Sequence, residues 1–113
     1  MCFVSALDVW IDVPPKNTHA LINETVELKC VGRGTPTPSI SWQKNDVPIN
    51  FQSNPRYLKM SSGSLRISMS KKSDSGKYTC VATNSRGYRK ANATLTVLSK
   101  YDVNRHAKNE VHV

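Results

Sequence analysis

At 113 residues, 38% hydrophobic and 21% charged, the chain fits one compact domain with little left for a second, and its modest apolar content still excludes wholesale disorder. Sixteen Lys and Arg against eight Asp and Glu give a formal net charge of +8, a field that favours polyanions such as heparan sulfate, acidic protein faces, anionic lipid or nucleic acid, although its plainer role is solubility. No run of about 18 apolar residues occurs, so no segment reads as a membrane-spanning helix.

Residues 1–8 precede any pattern and read as an N-terminal extension. The opening MCFVSAL is too short for a signal peptide and lacks a basic leading region, so the initial Met reads as the start of a fragment of a larger protein. Cys2 lies in this stretch without a partner; its plainer reading is a residue cut from its context, its sharper one an intermolecular disulfide or a reactive thiol. Val9, Ile11 and Val13 then alternate until Pro14 and Pro15 interrupt them. Proline cannot donate to a ladder, which places this break at a sheet edge or at a crossing between sheets. Asn23 and Glu24 read as a turn, Asn tolerating the left-handed conformation. The run TVELKCV (residues 25–31) puts Val26, Leu28 and Cys30 on one face.

Residues 32–38 (GRGTPTP) read as a loop, and Ile40 and Trp42 share the inward face of the strand after it. Residues 44–48 turn the chain, residues 56–60 form a short strand, and residues 61–63 make a turn before Leu65 and Ile67. A polar corner at residues 70–76 leads into a strand that carries Tyr78, Cys80 and Ala82 inward. Residues 84–87 (NSRG) make a hairpin turn, and Ala91, Ala93, Leu95 and Val97 close the last strand. No segment sustains a helical period, so the expectation is an all-β, largely antiparallel domain over residues 9–98. Residues 99–113 have sparse, unpatterned apolar positions and are expected to form a flexible tail or linker.

Cys30 and Cys80 each sit inward on a predicted strand, fifty residues apart, with Trp42 twelve residues after the first. The stretch DSGKYTC at residues 74–80 resembles the DxGxYxC signature of the immunoglobulin superfamily. GTPTPSISW at residues 34–42 resembles the GxPxPxIxW run of its I-set branch, and VATNSRG at residues 81–87 is similar to that branch's xAxNxxG turn. The resemblance covers about residues 9–98, and the three motifs together are highly specific. It implies an immunoglobulin-like antiparallel β-sandwich with one inter-sheet disulfide, Cys30 to Cys80, and with the Trp42 indole packed against it. It also implies a tyrosine corner at Tyr78, an ion pair between Arg56 and Asp74, and a core that adds Leu28, Leu65, Ile67 and Leu95. Asn23 stands where the family often has glycine. A bridge closing a loop of this length contributes roughly 4 kcal/mol in the chain-entropy model. The competing reading is a reduced, buried pair, as in intracellular muscle immunoglobulin domains.

Two triplets, Asn23-Glu24-Thr25 and Asn92-Ala93-Thr94, fit the N-glycosylation pattern, with Asn23 at a turn and Asn92 facing outward. Among the basic residues, Arg86, Arg89 and Lys90 on the last hairpin and strand, with Lys44 and Lys77 on neighbouring strands, form the candidate patch for heparan sulfate or an acidic partner; Lys59, Arg66, Lys71 and Lys72 belong to the other sheet and its corner. Chemistry is otherwise absent. His19, His106 and His112 lack the short Cys/His spacing of a metal site. No nucleophile elbow, phosphate-binding glycine loop or H-E-x-x-H helix appears, and the serines of SSGSLRISMS (residues 61–70) read as turn and outer-strand residues. Nucleic-acid binding is disfavoured because basic residues are spread over many strands and aromatics total 7%. The expectation is therefore a non-catalytic module without cofactor or metal, taken from a larger secreted or cell-surface protein. The resemblance implies that it recognises a protein ligand or receptor, as in adhesion, axon-guidance and receptor-ectodomain proteins. Two alternatives stay open: an intracellular titin-like structural module, and a regulatory domain that binds heparan sulfate or a growth factor.

Overall fold

The structure, a computed structural model, describes residues 8–103; Cys2, His106 and His112 lie outside them. Among the described residues, ten strands build two layers. The first is a five-stranded sheet in the order β2-β10-β9-β5-β6, formed by β2 (Thr18–Leu21), β5 (Ser39–Lys44), β6 (Val47–Pro48), β9 (Gly76–Asn84) and β10 (Gly87–Leu98). The second combines a three-stranded sheet, β3 (Val26–Leu28), β8 (Leu65–Ile67) and β7 (Tyr57–Lys59), with the pair β1 (Val9–Val13) and β4 (Val31–Gly34). Strands β3 and β4 follow each other closely, with only residues 29 and 30 between them.

Period-two alternation sets the register. Trp42 stands opposite Cys80, Ala91 opposite Cys80 and Ala93 opposite Tyr78, so one face of the large sheet carries the apolar set. In the other layer, Val26 faces Ile67 and Leu28 faces Leu65, while Glu27 and Arg66 point out as a cross-strand pair. The two inner faces meet in a core of Val9, Val26, Leu28, Ile40, Trp42, Tyr57, Leu65, Ile67, Tyr78, Leu95 and Val97 around the two cysteines.

The proline break has a clear consequence. Before it, β1 pairs antiparallel with β4; after it, β2 pairs in parallel with the end of β10. The first strand thus changes sheets at Pro14–Pro15, where missing N–H groups cost no ladder bond. Residues 45 and 46 both have positive φ, 50° and 70°, the geometry of a two-residue type I′ hairpin turn between β5 and β6.

Two segments differ from the sequence expectation. Residues 32–34, expected to open a loop, instead belong to β4, because Gly32 and Gly34 permit close packing here rather than a turn. A Cβ on Gly34 would collide with the Asp8 carbonyl oxygen. At the other end, residues 100–103 form a helical turn instead of continuing an unstructured tail. Ser99 caps it: its Oγ accepts from the Asp102 N–H at 3.1 Å, and the Asp102 carboxylate accepts from the Ser99 N–H at 3.0 Å. Lys72 ties that carboxylate to the sandwich at 2.8 Å.

Candidate functional site

The centre of the sandwich is covalent. Cys30 and Cys80 form a disulfide with a Cα–Cα separation of 6.5 Å. Both are fully buried, and Trp42 beside Cys80 is 1% exposed. The indole cannot leave its N–H unpaired in such a place. Nε1 donates to the Gly63 carbonyl at 2.8 Å, and Gly63 holds φ +101°, a conformation open to glycine.

A polar network closes the lower end. Asp74, 2% exposed, is the last residue of the 3₁₀ turn Lys72–Asp74 and accepts two bonds from the Arg56 guanidinium at 2.9 Å each. It also accepts from the Tyr57 hydroxyl at 2.6 Å and from the Lys71 N–H at 2.8 Å. The Tyr78 hydroxyl donates to the Asp74 carbonyl at 2.5 Å, the tyrosine-corner bond. Burial works to raise the Asp74 carboxyl, but bonds from Arg56, Tyr57 and the Lys71 N–H outweigh it and hold the pKa at about 2. Burial, reinforced by the bond to Asp74, pushes Tyr57 up to about 12. Burial, followed by the contact with Tyr57, likewise raises Tyr78. The Arg56 guanidinium is raised by its bond to Asp74, against its own desolvation. Such a densely bonded set holds structure together. Among the described residues no buried side-chain N or O atom lacks a partner, and no group of three or more metal-ligating side chains forms.

Leu28, Leu65, Ile67 and Leu95 are each no more than 1% exposed. Asn23 has φ 74° and an exposed side chain at its turn, and Asn92 is exposed on the outward face of β10 opposite Thr79. The five residues of the basic patch, however, fall into two places. Arg86 lies in the β9–β10 turn and reaches Asp8 at 3.2 Å; Arg89 donates to the Tyr88 carbonyl at 2.9 Å; Lys90 stands 5.8 Å from the Tyr88 ring. Lys77 pairs with Asp46 at 3.0 Å, and Lys44 Nζ donates to the Ser73 carbonyl at 2.6 Å. Lys44 and Lys77 therefore join Lys71 and Lys72 at the far corner. Shared sheet membership does not bring them near the hairpin: Lys77 and Asn84 are seven residues apart on β9, roughly 23 Å along a strand.

Two residues central to this geometry carry weak sequence signals. Tyr57 completes the Asp74 network, and only its place after Arg56 hints at it. Asn84, inside the xAxNxxG turn, uses its amide to bridge the Asp8 and Pro36 carbonyls at 2.7 and 2.8 Å.

Two packed β-layers, a buried cross-sheet disulfide with tryptophan against it, and a tyrosine corner define the immunoglobulin superfamily sandwich. The chain belongs to the I-set family within it: the family model for the immunoglobulin I-set domain matches residues 9–97. Receptor-type tyrosine-protein phosphatase F of Danio rerio is 40% identical over 79 residues, 70% of this chain and 4% of that protein. Protein sax-3 of Caenorhabditis elegans is 43% identical over 90 residues, 78% of this chain and 7% of that protein. The solved tandem Ig repeats of Dlar superpose with a TM-score of 0.76 at 36% identity, covering 81% of this chain and 49% of that one. The chain thus spans only a small fraction of the curated relatives it matches. No helix among the described residues is long and apolar enough to cross a membrane.

Proposed function

We propose that this chain is an extracellular, non-catalytic recognition module of a larger cell-surface or secreted protein, and that it binds a protein partner through its exposed strands and loops. The observation that carries the reading is the fully buried Cys30–Cys80 bridge, a bond that persists in oxidising compartments. Support comes from a relative that is by name a receptor, and from Asn23, exposed and able to accept a glycan. Free thiols at both cysteines would instead favour an intracellular structural module.

The test is staining of live cells with the chain, secreted from eukaryotic cells and tetramerised on streptavidin. A protein partner predicts staining that trypsin removes and heparinase leaves intact; failure to stain any cell type in a broad panel contradicts the reading. A second reading, binding of heparan sulfate, is favoured by the corner where Lys44, Lys71, Lys72 and Lys77 gather around the 3₁₀ turn. It predicts heparinase-sensitive staining, and retention on heparin above physiological salt that falls when these lysines become Ala.

A further inference from the structure

The five-stranded sheet leaves one basic stretch of edge unpaired. β10 runs for twelve residues, but β2 pairs only with its last four, from Leu95 to Leu98. Just before them, the Thr94 N–H donates to Asn17 Oδ1 at 2.8 Å. Among the described residues no strand is hydrogen-bonded to residues 88–92 on that side: β1 packs near β10 from the other layer, but its ladder bonds go to β4.

The direction of the free groups follows from the hairpin. The loop between Asn84 and Gly87 has two residues, which makes Asn84 and Gly87 a hydrogen-bonded pair. Odd-numbered residues of β10 therefore bond to β9, and Tyr88, Lys90 and Asn92 aim their N–H and C=O groups away from it. The Thr94 bond to Asn17 and the Leu98 carbonyl, which accepts from Ile22 at 2.9 Å, fit the same parity. Among the described residues, one group bonds to this stretch of edge: the Arg89 guanidinium, on the Tyr88 carbonyl.

Other edges are occupied, short or of the wrong charge. On β5 the Trp42 carbonyl accepts from the Ile49 N–H and the Ile40 carbonyl from Lys59 Nζ. β6 has two residues, one of them proline, and β7 has three. β1 has five, but a register shift breaks it and it carries the acidic Asp12.

We propose that residues 88–92 of β10 are a docking edge for an extended, acidic segment of a partner protein, which adds to the sheet as a further strand. The inference rests on the recognition reading above and names a surface and a partner chemistry for it. Charge selects the occupant. Arg86, Arg89 and Lys90 line the edge, and among the described residues only Arg86 of these has an acidic partner, Asp8. A second copy of the chain would set these cations against each other, whereas an acidic strand would meet them. Its N–H would take over the Tyr88 carbonyl and release the Arg89 guanidinium to a carboxylate. Tyr88, 58% exposed, adds an aromatic face for side chains of the incoming strand. The window spans roughly 17 Å, room for about five residues.

The chain, oxidised and produced without glycans so that Asn92 is bare, is titrated with a ten-residue peptide alternating Thr and Glu, and with the same peptide carrying Gln for Glu. Amide shifts and hydrogen exchange are read by NMR. The proposal predicts that exchange at Tyr88, Lys90 and Asn92 slows about tenfold or more with the acidic peptide. It also predicts that the Gln peptide binds about tenfold more weakly, a gap that closes near 0.5 M salt. Lys90→Pro removes an edge donor that the fold itself does not use, and abolishes binding while Trp42 and Cys80 amides stay protected. Lys90→Glu keeps that donor and weakens the acidic peptide about tenfold. The proposal is overturned if neither peptide binds, if shifts gather at Lys44, Lys71, Lys72 and Lys77 without protection at Lys90 and Asn92, or if a heparin oligosaccharide gives the same shifts without that protection. Undiminished cell staining by the Lys90→Pro protein would remove the edge and leave the recognition reading standing.

Discussion

Replacing Asp74 by Asn keeps the shape of the side chain and removes its charge. The wild-type carboxylate accepts four bonds, two from Arg56 and one each from Tyr57 and the Lys71 N–H. Asn can retain at most part of this set, because its amide nitrogen faces donors where an oxygen stood. Removing one partner of a buried ion pair costs about 3–5 kcal/mol when the other is left buried. The Arg56 side chain is 29% exposed, so water relieves part of that, and we expect about 2–3 kcal/mol. The pH dependence is specific. The folded-state pKa of Asp74, about 2, lies below the ordinary aspartate value of 3.8. Its contribution is therefore present above about pH 4 and is lost as pH falls through 2. Urea unfolding of both proteins at pH 6 and at pH 2 measures this. The gap between wild type and Asp74→Asn should be near 2–3 kcal/mol at pH 6 and shrink by about 2 kcal/mol at pH 2. A gap under about 0.5 kcal/mol at pH 6, or one independent of pH, would refute the role given to this carboxylate.

Trp42→Phe should cost about 2–3 kcal/mol in urea unfolding, from lost volume and an unpaired Gly63 carbonyl; a cost under 1 kcal/mol would place the indole outside the core. Gly63→Ala adds a Cβ 2.8 Å from Ile40 Cγ1 at φ +101°. It should lower the melting temperature by about 5–15 °C, corresponding to about 1–3 kcal/mol, and an unchanged melting temperature would contradict the positive φ. Tyr57→Phe removes one donor to Asp74 and should both destabilise by about 1 kcal/mol and raise the Asp74 pKa, read by NMR titration of the carboxyl.

How much of this was legible in the sequence varied with the physics of each element. Val26/Leu28 and Leu65/Ile67 alternate cleanly because each strand has one wet and one dry face, and period two survives without context; on β9 Thr79 and Val81 are buried too, and the inward set is marked instead by Tyr78, Cys80 and Ala82. The segment at residues 32–34 shows no such alternation, since its two glycines look like turn residues until β1 lies against them. The helical turn after Ser99 is too short for any periodicity; only the Ser-x-x-Asp spacing announces it, and that spacing is common. The basic patch shows a different limit. Parity and sheet order could be read for Lys44, Lys77 and Lys90, but their position along the strands depends on register, which puts Lys77 opposite Thr94 and Lys90 opposite Val81. Ion pairs formed across the chain, Arg86 with Asp8 and Lys77 with Asp46, then decide which cations stay available.

The measurement that tests the account most directly is a non-reducing proteolytic map of the chain secreted from eukaryotic cells. The account predicts that the peptides containing Cys30 and Cys80 travel as one linked species that separates on reduction. Free thiols at both positions, or a bridge from either to Cys2, would contradict a disulfide-tied extracellular sandwich.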